Sequence, residues 1–516
     1  VSTAILRPTL HSPVSLAHLA TTLGLKYSGP DVVISGVALH TAAVQPGDLF
    51  VALHGVNRHG VELWEDATAR GATAIFTDEA GSVALRGFPI PVLLADDPRA
   101  LLGAVSREVY GTQSGHPAVF SVTGTNGKTS TAYLLEALMR GLGWRTALST
   151  TAERRVNDVP YPSTLTTPEA PDIHAMLALA GETGVRGVAV EVSAQALAKK
   201  RLHGVLSEVA GFTNLSHDHF EDFGGMEPYF QAKAALFDPT MAVQCVICVD
   251  SEWGVKLAAQ VTIPVTTVAA QSQGRGDWTY EVLDAGQHST RWRVTSPTTE
   301  QAEFLAPLVG EHMVANATLA VVMLVQSGVT LTSISQAMGS GTPGIPVTIP
   351  GRIERVSGSS GPAVFVDAGR SADAYRHTLA AVRQLTSGKV VMVCGTSGNR
   401  DATKRPIMGK IAAQLADTVI ITDDDPRRED PAAIRAGLLE GAHSVPGAEV
   451  HEVPDPTEAI RFAVSLATEG DSVLWSGPGS QSYRDIGGNK VPYSAKREAQ
   501  RALTDAGWLS GLEETV

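Results

Sequence analysis

Short apolar runs bounded by turn formers recur along the chain and alternate with stretches of helical length. The first are Val32-Val33-Ile34, Leu49-Phe50-Val51-Ala52, Ala74-Ile75-Phe76 and Pro91-Val92-Leu93-Leu94, with a helix-like run from Val61 to Arg70 between the second and third. This rhythm predicts a small α/β unit over residues 1–114. Turn formers then crowd Tyr110-Gly111-Thr112-Gln113-Ser114-Gly115-His116-Pro117, which reads as a linker.

The same rhythm resumes with Ala118-Val119-Phe120, Gly187 to Val192 and Val243 to Asp250. Between residues 270 and 305 it changes to strict alternation in Thr279-Tyr280-Glu281-Val282 and Arg291-Trp292-Arg293-Val294, which predicts an antiparallel insertion. A second boundary falls in Gly341-Thr342-Pro343-Gly344-Ile345-Pro346. Beyond it, Ala363 to Asp367, Val390 to Val393, Thr418 to Thr422 and Ser472 to Trp475 alternate with helical stretches. The expected architecture is therefore α/β in three domains, 1–114, 115–346 and 347–516, and the length of 516 residues agrees with a prior of roughly 150 residues per domain.

Composition narrows the function classes. Hydrophobic residues make up 43% and charged residues 18%, enough to bury several cores, and the formal charge of −13 argues against broad nucleic-acid or anionic-membrane binding. No run approaches the roughly 18 apolar residues of a membrane span, and no signal peptide opens the chain. Cys245, Cys248 and Cys394 are an odd set in a large chain, which favours a reducing compartment. Cys245 and Cys248 lie within an apolar run and read as strand residues, with no second pair at zinc spacing. A soluble cytoplasmic monomer is expected.

The densest chemistry lies at residues 121–130, Ser-Val-Thr-Gly-Thr-Asn-Gly-Lys-Thr-Ser. An apolar strand ends at Gly124 and Gly127, and a helical run with Ala132 to Met139 follows. That junction leaves backbone N–H groups free at a helix N-terminus, where they can hold phosphate. Gly124, Thr125, Asn126, Gly127, Lys128, Thr129 and Ser130 are the candidate nucleotide loop, with Lys128 for the outer phosphates and the Thr129 hydroxyl for Mg²⁺. Gly-x-x-Gly-Lys-Thr is two residues shorter than the common P-loop. Glu191, after four apolar residues, is equally a strand-end Mg²⁺ ligand or a solvated glutamate.

Thr-Gly-Thr-Asn-Gly-Lys-Thr resembles the ATP loop of the Mur ligases and folylpolyglutamate synthetases, which activate a carboxylate as an acyl phosphate before an amine attacks it. Phe212 to His219, followed fourteen residues later by Lys233, resembles the Mur ligase central domain. The resemblance covers nearly the whole chain and is closest to the MurE branch, which adds the third residue to UDP-N-acetylmuramoyl-L-Ala-D-Glu. It rests on Thr166-Thr167-Pro168, Glu191-Val192-Ser193 with Arg201, Pro350 to Glu354, Gly398 to Asp401 with Lys404-Arg405-Pro406, and Asp423 to Arg427.

That resemblance implies a central P-loop ATPase domain between a UDP-sugar-binding domain and a Rossmann-like, amino-acid-binding one. It implies that Glu191 and His219 bind Mg²⁺ and that Lys233 takes up CO₂ as a carbamate ligand. It assigns Thr166, Thr167, Ser193 and Arg201 to the muramoyl dipeptide, and Asn316, Arg352 and Asp367 to ATP. Several family residues are replaced: Asp-Ser-Arg by His40-Thr41-Ala42, the Ser-His of Glu-Val-Ser-Ser-His by Ala194-Gln195, Asp-Tyr-Ala-His by Asp367-Ala368-Gly369-Arg370, and Gly-Lys-Gly-His-Glu by Gly477-Pro478-Gly479-Ser480-Gln481. Met313 stands where the adenine-side motif begins with asparagine.

Arg400, Asp425, Arg427 and Gln481 are the candidate amino-acid site. Arg400 and Arg427 can clamp a carboxylate. Asp425 stands where diaminopimelate-adding members carry asparagine. A carboxylate about 4 Å from a charge is worth roughly 4 kcal/mol at an effective dielectric near 20, before desolvation. Its sign favours a bare ammonium, so L-lysine is the expected substrate ahead of ornithine and diaminopimelate. A folylpolyglutamate synthetase-like ligase and a non-catalytic nucleotide-binding relative are the rival readings.

Overall fold

The computed structural model describes residues 6–55, 58–113, 116–162, 165–286, 289–339 and 344–510. Parts of both expected linkers, Ser114-Gly115 and Gly341-Thr342-Pro343, lie outside the described residues. Among those described, three large sheets appear in chain order, each covered by helices. No helix among them is long and apolar enough to cross a membrane.

The first sheet orders its strands Lys26–Ser28, Val92–Leu94, Ala74–Thr77, Asp48–Val51 and Gly36–Ala38, parallel except for the first. The expected helix at 61–70 divides into a 3₁₀ turn, Gly60–Leu63, and a short α-helix, Trp64–Ala69. His59 caps the turn through its ring nitrogen and so begins the element with the tighter winding.

The central sheet has eleven strands. Its parallel middle runs Thr146–Ser149, Gly187–Glu191, Ala118–Thr123, Ser207–Phe212, Ala242–Cys248, Val265–Ala270 and Trp278–Ala285. The antiparallel strands expected between 270 and 305 are present, yet they extend this same sheet. Val268 pairs in parallel with Trp278, and Thr290–Thr295 and Gln301–Ala306 follow as antiparallel neighbours. Cys245 and Cys248 are buried free thiols in the Ala242–Cys248 strand.

The strand Ala118–Thr123 lies between Gly187–Glu191 and Ser207–Phe212, where successive connections leave in opposite directions. Such a switch point opens a crevice at the strands' carboxyl ends. Helix Lys128–Gly141 covers one face with Leu134, Leu135, Leu138 and Met139 fully buried, packed with helix Glu311–Gln326. The third sheet orders Glu354–Arg355, Ala363–Asp367, Ser472–Ser476, Val390–Cys394, Thr418–Ile421 and Glu449–Glu452, parallel except at the first pair. All four strands expected there form; Glu449–Glu452, an exposed edge strand with little apolar content, escapes the hydrophobic pattern.

Candidate active site

The loop 124–127 has the geometry of an anion cradle. Gly124 has φ +150°, and a β-carbon there would sit 1.9 Å from Thr213 Oγ1; Gly127 has φ +88°, and one there would meet Asn316 Oδ1 at 2.4 Å. Both glycines are therefore required by space as well as by backbone conformation. Asn214 holds the loop, accepting from Thr125 N (2.9 Å) and Asn126 N (3.0 Å) and donating to Asn126 O (3.1 Å). Helix Lys128–Gly141 starts at Gly127 with no side-chain cap, so its first N–H groups remain available to an anion.

Lys128 Nζ is turned onto the loop itself, donating to Gly124 O (3.1 Å) and Thr125 O (2.8 Å). Burial holds this amine below its ordinary range, with Glu191 and Asp218 opposing the shift. Thr129 Oγ1 donates to Glu191 Oε2 at 2.9 Å and receives Arg352 Nη2 at 2.9 Å. Two cis oxygens around an octahedral Mg²⁺ at ~2.1 Å stand about 3.0 Å apart. The Thr129–Glu191 spacing matches such a pair, and an ion taken there would displace Arg352 from Thr129 and replace the hydrogen bond between the two oxygens.

Lys233, on helix Met226–Ala234, is 1% exposed and donates to Gly124 O at 2.6 Å. Among the described residues no carboxylate forms an ion pair with it. Burial first, and the charge of Lys128 second, hold its amine well below the usual lysine range. A neutral amine of this kind is the form that can combine with CO₂. His219, in the left-handed region at φ 57°, stands with Glu221 and Asp222, the ligand atoms of the three lying within 4.8 Å of one another. Gln195 Nε2 ties them together, donating to His219 Nδ1 (2.9 Å) and Asp222 Oδ2 (2.8 Å). Glu191 is not part of that group. It is instead paired with Thr129 and Thr151, whose backbone N–H it accepts at 2.9 Å.

Lys128, Thr129, Glu191, His219, Lys233 and Asn316 line one cavity of about 890 Å³, which Ser193, Arg201, Thr166, Arg352, Asp367 and Arg400 also border. Thr167 Oγ1 bonds Glu191 O (2.9 Å) and Ser193 N (3.0 Å), and the Ser193 hydroxyl caps the helix that follows. Arg201 pairs with Glu169 at 2.8 Å. Asp367 spends both carboxylate oxygens on backbone, Ile353 N (3.1 Å) and Gly369 N (2.8 Å), and so shapes the turn after its strand.

Bridges cross from the central sheet's loops to the third domain. Lys404 Nζ meets Asp218 at 3.0 Å, His217 meets Asp401 at 2.8 Å, Arg400 meets Glu221 at 3.2 Å, and Asn126 donates to Asp373 at 3.1 Å. Arg400 is thus already paired with carboxylates. Arg427 is different: held at φ 54°, half-buried, its guanidinium meets no acceptor among the described residues. Asp425 is 4% exposed, with Oδ1 accepting Asp485 N (3.1 Å) and Oδ2 reached by Arg370 (3.4 Å). Gln481 also accepts from Arg370, at 2.7 Å.

Family patterns match along the chain: the catalytic domain of the Mur ligase family at residues 33–126, the Mur ligase middle domain at 122–324, and the Mur ligase glutamate ligase domain at 351–479. A UDP-N-acetylmuramyl-tripeptide synthetase of Leifsonia xyli is 48% identical over 98% of this chain and 98% of its own. The chain belongs to the Mur ligase family. A UDP-N-acetylmuramoyl-L-alanyl-D-glutamate–2,6-diaminopimelate ligase of Streptomyces coelicolor is 39% identical, covering 96% of this chain and 98% of its own. A solved structure of a ligase of that same name is 27% identical with a TM-score of 0.62, covering 92% and 96%. The three α/β layers are accordingly those of a Mur ligase, an ATP-dependent ligase.

Within this Mur ligase, Thr151, Asn214 and Arg370 do work that the sequence reading did not assign. Asn214 lay inside a quoted motif, and Arg370 was visible as a departure from the family pattern. Thr151 carried no signal in the chain at all, because its role comes from the end of a neighbouring strand.

Proposed function

We propose that this Mur ligase joins a free diamino acid, L-lysine foremost, to the γ-carboxylate of D-Glu in UDP-N-acetylmuramoyl-L-Ala-D-Glu. The observation that carries this reading is the shared cavity in which the anion cradle, the Thr129–Glu191 pair and the buried Lys233 meet. ATP in the cradle transfers its γ-phosphoryl group to the carboxylate, giving an acyl phosphate and ADP. The amine of the amino acid then attacks the acyl carbon, loses a proton, and expels phosphate as the amide forms.

The chain's own groups supply position and charge. The helix N-terminus and Lys128 hold phosphate oxygens, Arg352 bridges the third domain to Thr129, and Arg427 takes the α-carboxylate of the amino acid. Thr166, Thr167, Ser193 and Arg201 hold the muramoyl dipeptide. One Mg²⁺ would be held by Thr129 and Glu191 and a second by His219, and when bound they would supply neutralisation of phosphate charge. Lys233 attacks CO₂ through its neutral amine and releases a proton, so that a buried neutral amine becomes a carbamate with anionic oxygen donors.

L-lysine is favoured because the carboxylate of Asp425 would attract a bare distal ammonium and repel a distal carboxylate. A phosphate-release assay with the muramoyl dipeptide and a panel of amino acids tests the whole reading. Turnover highest with L-lysine supports it. Turnover only with a folate and glutamate, or ATP binding with no turnover, defeats it, and preference for diaminopimelate corrects the side chain alone.

A further inference from the structure

Arg370 occupies the junction between the phosphate cavity and the residues expected to read the amino acid. It follows the strand Ala363–Asp367 and lines the same cavity as Lys128 and Glu191, whereas Asp425 and Gln481 are not in that wall. Its Nη2 donates to Gln481 Oε1 (2.7 Å) and Asp424 Oδ1 (3.2 Å) and lies 3.4 Å from Asp425 Oδ2; its Nε is 2.8 Å from Asp424 Oδ2. Nη1 meets no protein acceptor among the described residues. The side chain is 25% exposed and lines the cavity.

A substrate side chain approaching from the cavity therefore encounters a guanidinium before it encounters Asp425. We propose that Arg370 is a specificity-determining residue for the incoming amino acid: by covering Asp424 and Asp425 it sets the charge that the substrate's distal group meets. This rests on the amino-acid ligase reading above. Arg427 and Arg484 also act on these carboxylates and stay constant through the series; Arg370, Asp424 and Asp425 by themselves carry one net negative charge when both carboxylates are ionised. Arg370→Gln leaves two, and Asp425→Asn leaves none. Preference for a bare ammonium over an ammonium flanked by a carboxylate should follow that order, because the second group is repelled as the first is attracted.

The readout is the ratio of kcat/KM for L-lysine to that for meso-diaminopimelate, with calorimetric binding of each amino acid to protein loaded with an ATP analogue and the muramoyl dipeptide. Assays run at about pH 9, where a desolvated carboxyl such as Asp424 is more fully ionised. Arg370→Gln should raise the ratio about tenfold, Asp425→Asn should lower it about tenfold, and Arg370→Lys should stay within about twofold of the parent. An unmoved or lowered ratio in folded Arg370→Gln overturns the proposal. If that variant does not fold, Arg370→His serves: its ratio should climb between about pH 6 and pH 9 as the imidazole loses its charge, and a flat profile overturns the proposal. A parent enzyme that prefers diaminopimelate, with the order of variants intact, defeats only the lysine assignment. A parent that uses lysine while the order fails defeats only Arg370. Absence of binding by any diamino acid defeats both.

Discussion

The phosphate cavity and the proposed amino-acid end behind Arg370 are built on different principles. At the phosphate end, backbone does most of the work: two glycines, a helix start without a side-chain cap, and carbonyls that receive Lys128 and Lys233. At the proposed amino-acid end, side chains decide: Arg370 joins Asp424, Asp425 and Gln481, while the Arg427 guanidinium meets no acceptor among the described residues. A backbone site is read from a short contiguous motif, because glycine spacing dictates its shape. A side-chain site is a sum of charges drawn from separate loops, and one residue read alone can mislead.

The largest effect that would break this contrast belongs to Lys233. Lys233→Ala should lower ligation about a thousandfold, with partial recovery on adding short carboxylates; full activity without them, measured by phosphate release, removes the carbamate. Next, Gly124→Ala should cost about a hundredfold in turnover, since the new methyl overlaps Thr213 Oγ1. Near-parental turnover would mean that the cradle is not shaped by backbone.

A smaller effect sharpens the amino-acid end. Arg427→Lys should raise KM for the amino acid about tenfold with little change in KM for ATP, because a point charge replaces a planar fork. An equal rise for both substrates would move Arg427 out of the carboxylate role. The smallest effect lies outside the cavity and serves as a control. Burial pushes the His174 imidazole down to about 4, and it bonds Thr112 at 2.6 Å. The folded state thus prefers the neutral ring, so its stabilisation is present above an unfolded value near 6.5 and is lost as pH falls toward about 4. Thermal melting of His174→Gln should show a shallower loss over that window, by about 3 kcal/mol, with catalysis at neutral pH preserved.

Much of the fold was legible because period and polarity were unambiguous. The buried runs Gly187 to Glu191 and Val390 to Cys394 could only be interior strands. Glu449–Glu452 was not, since its partners on the sheet edge, rather than its own side chains, make it a strand. At the site, Lys128 and Thr129 were legible from glycine spacing, Glu191 from its place at a strand end and Lys233 only through the family resemblance, and all four line one cavity. The grouping of His219 with Glu221 and Asp222 was hidden, because Gln195 from another helix organises it. The masking of Asp425 was hidden for the same reason. A charge read along the chain carries no record of the guanidinium, 55 residues away in sequence, that covers it.

The bridges from Lys404, Asp401 and Arg400 to residues 217–222, the loop and first turn of helix Phe220–Phe223, are partly solvated and join the central layer to the third. Asn126–Asp373 and Arg352–Thr129 reinforce them; were release of the finished amide to require these layers to part, the ion pairs would have to break together, and dissolved electrolyte would throttle the catalytic cycle. Moderate salt should speed departure by weakening the clasp. Higher salt should slow the cycle by leaving the layers apart, giving a turnover that peaks at an intermediate ionic strength.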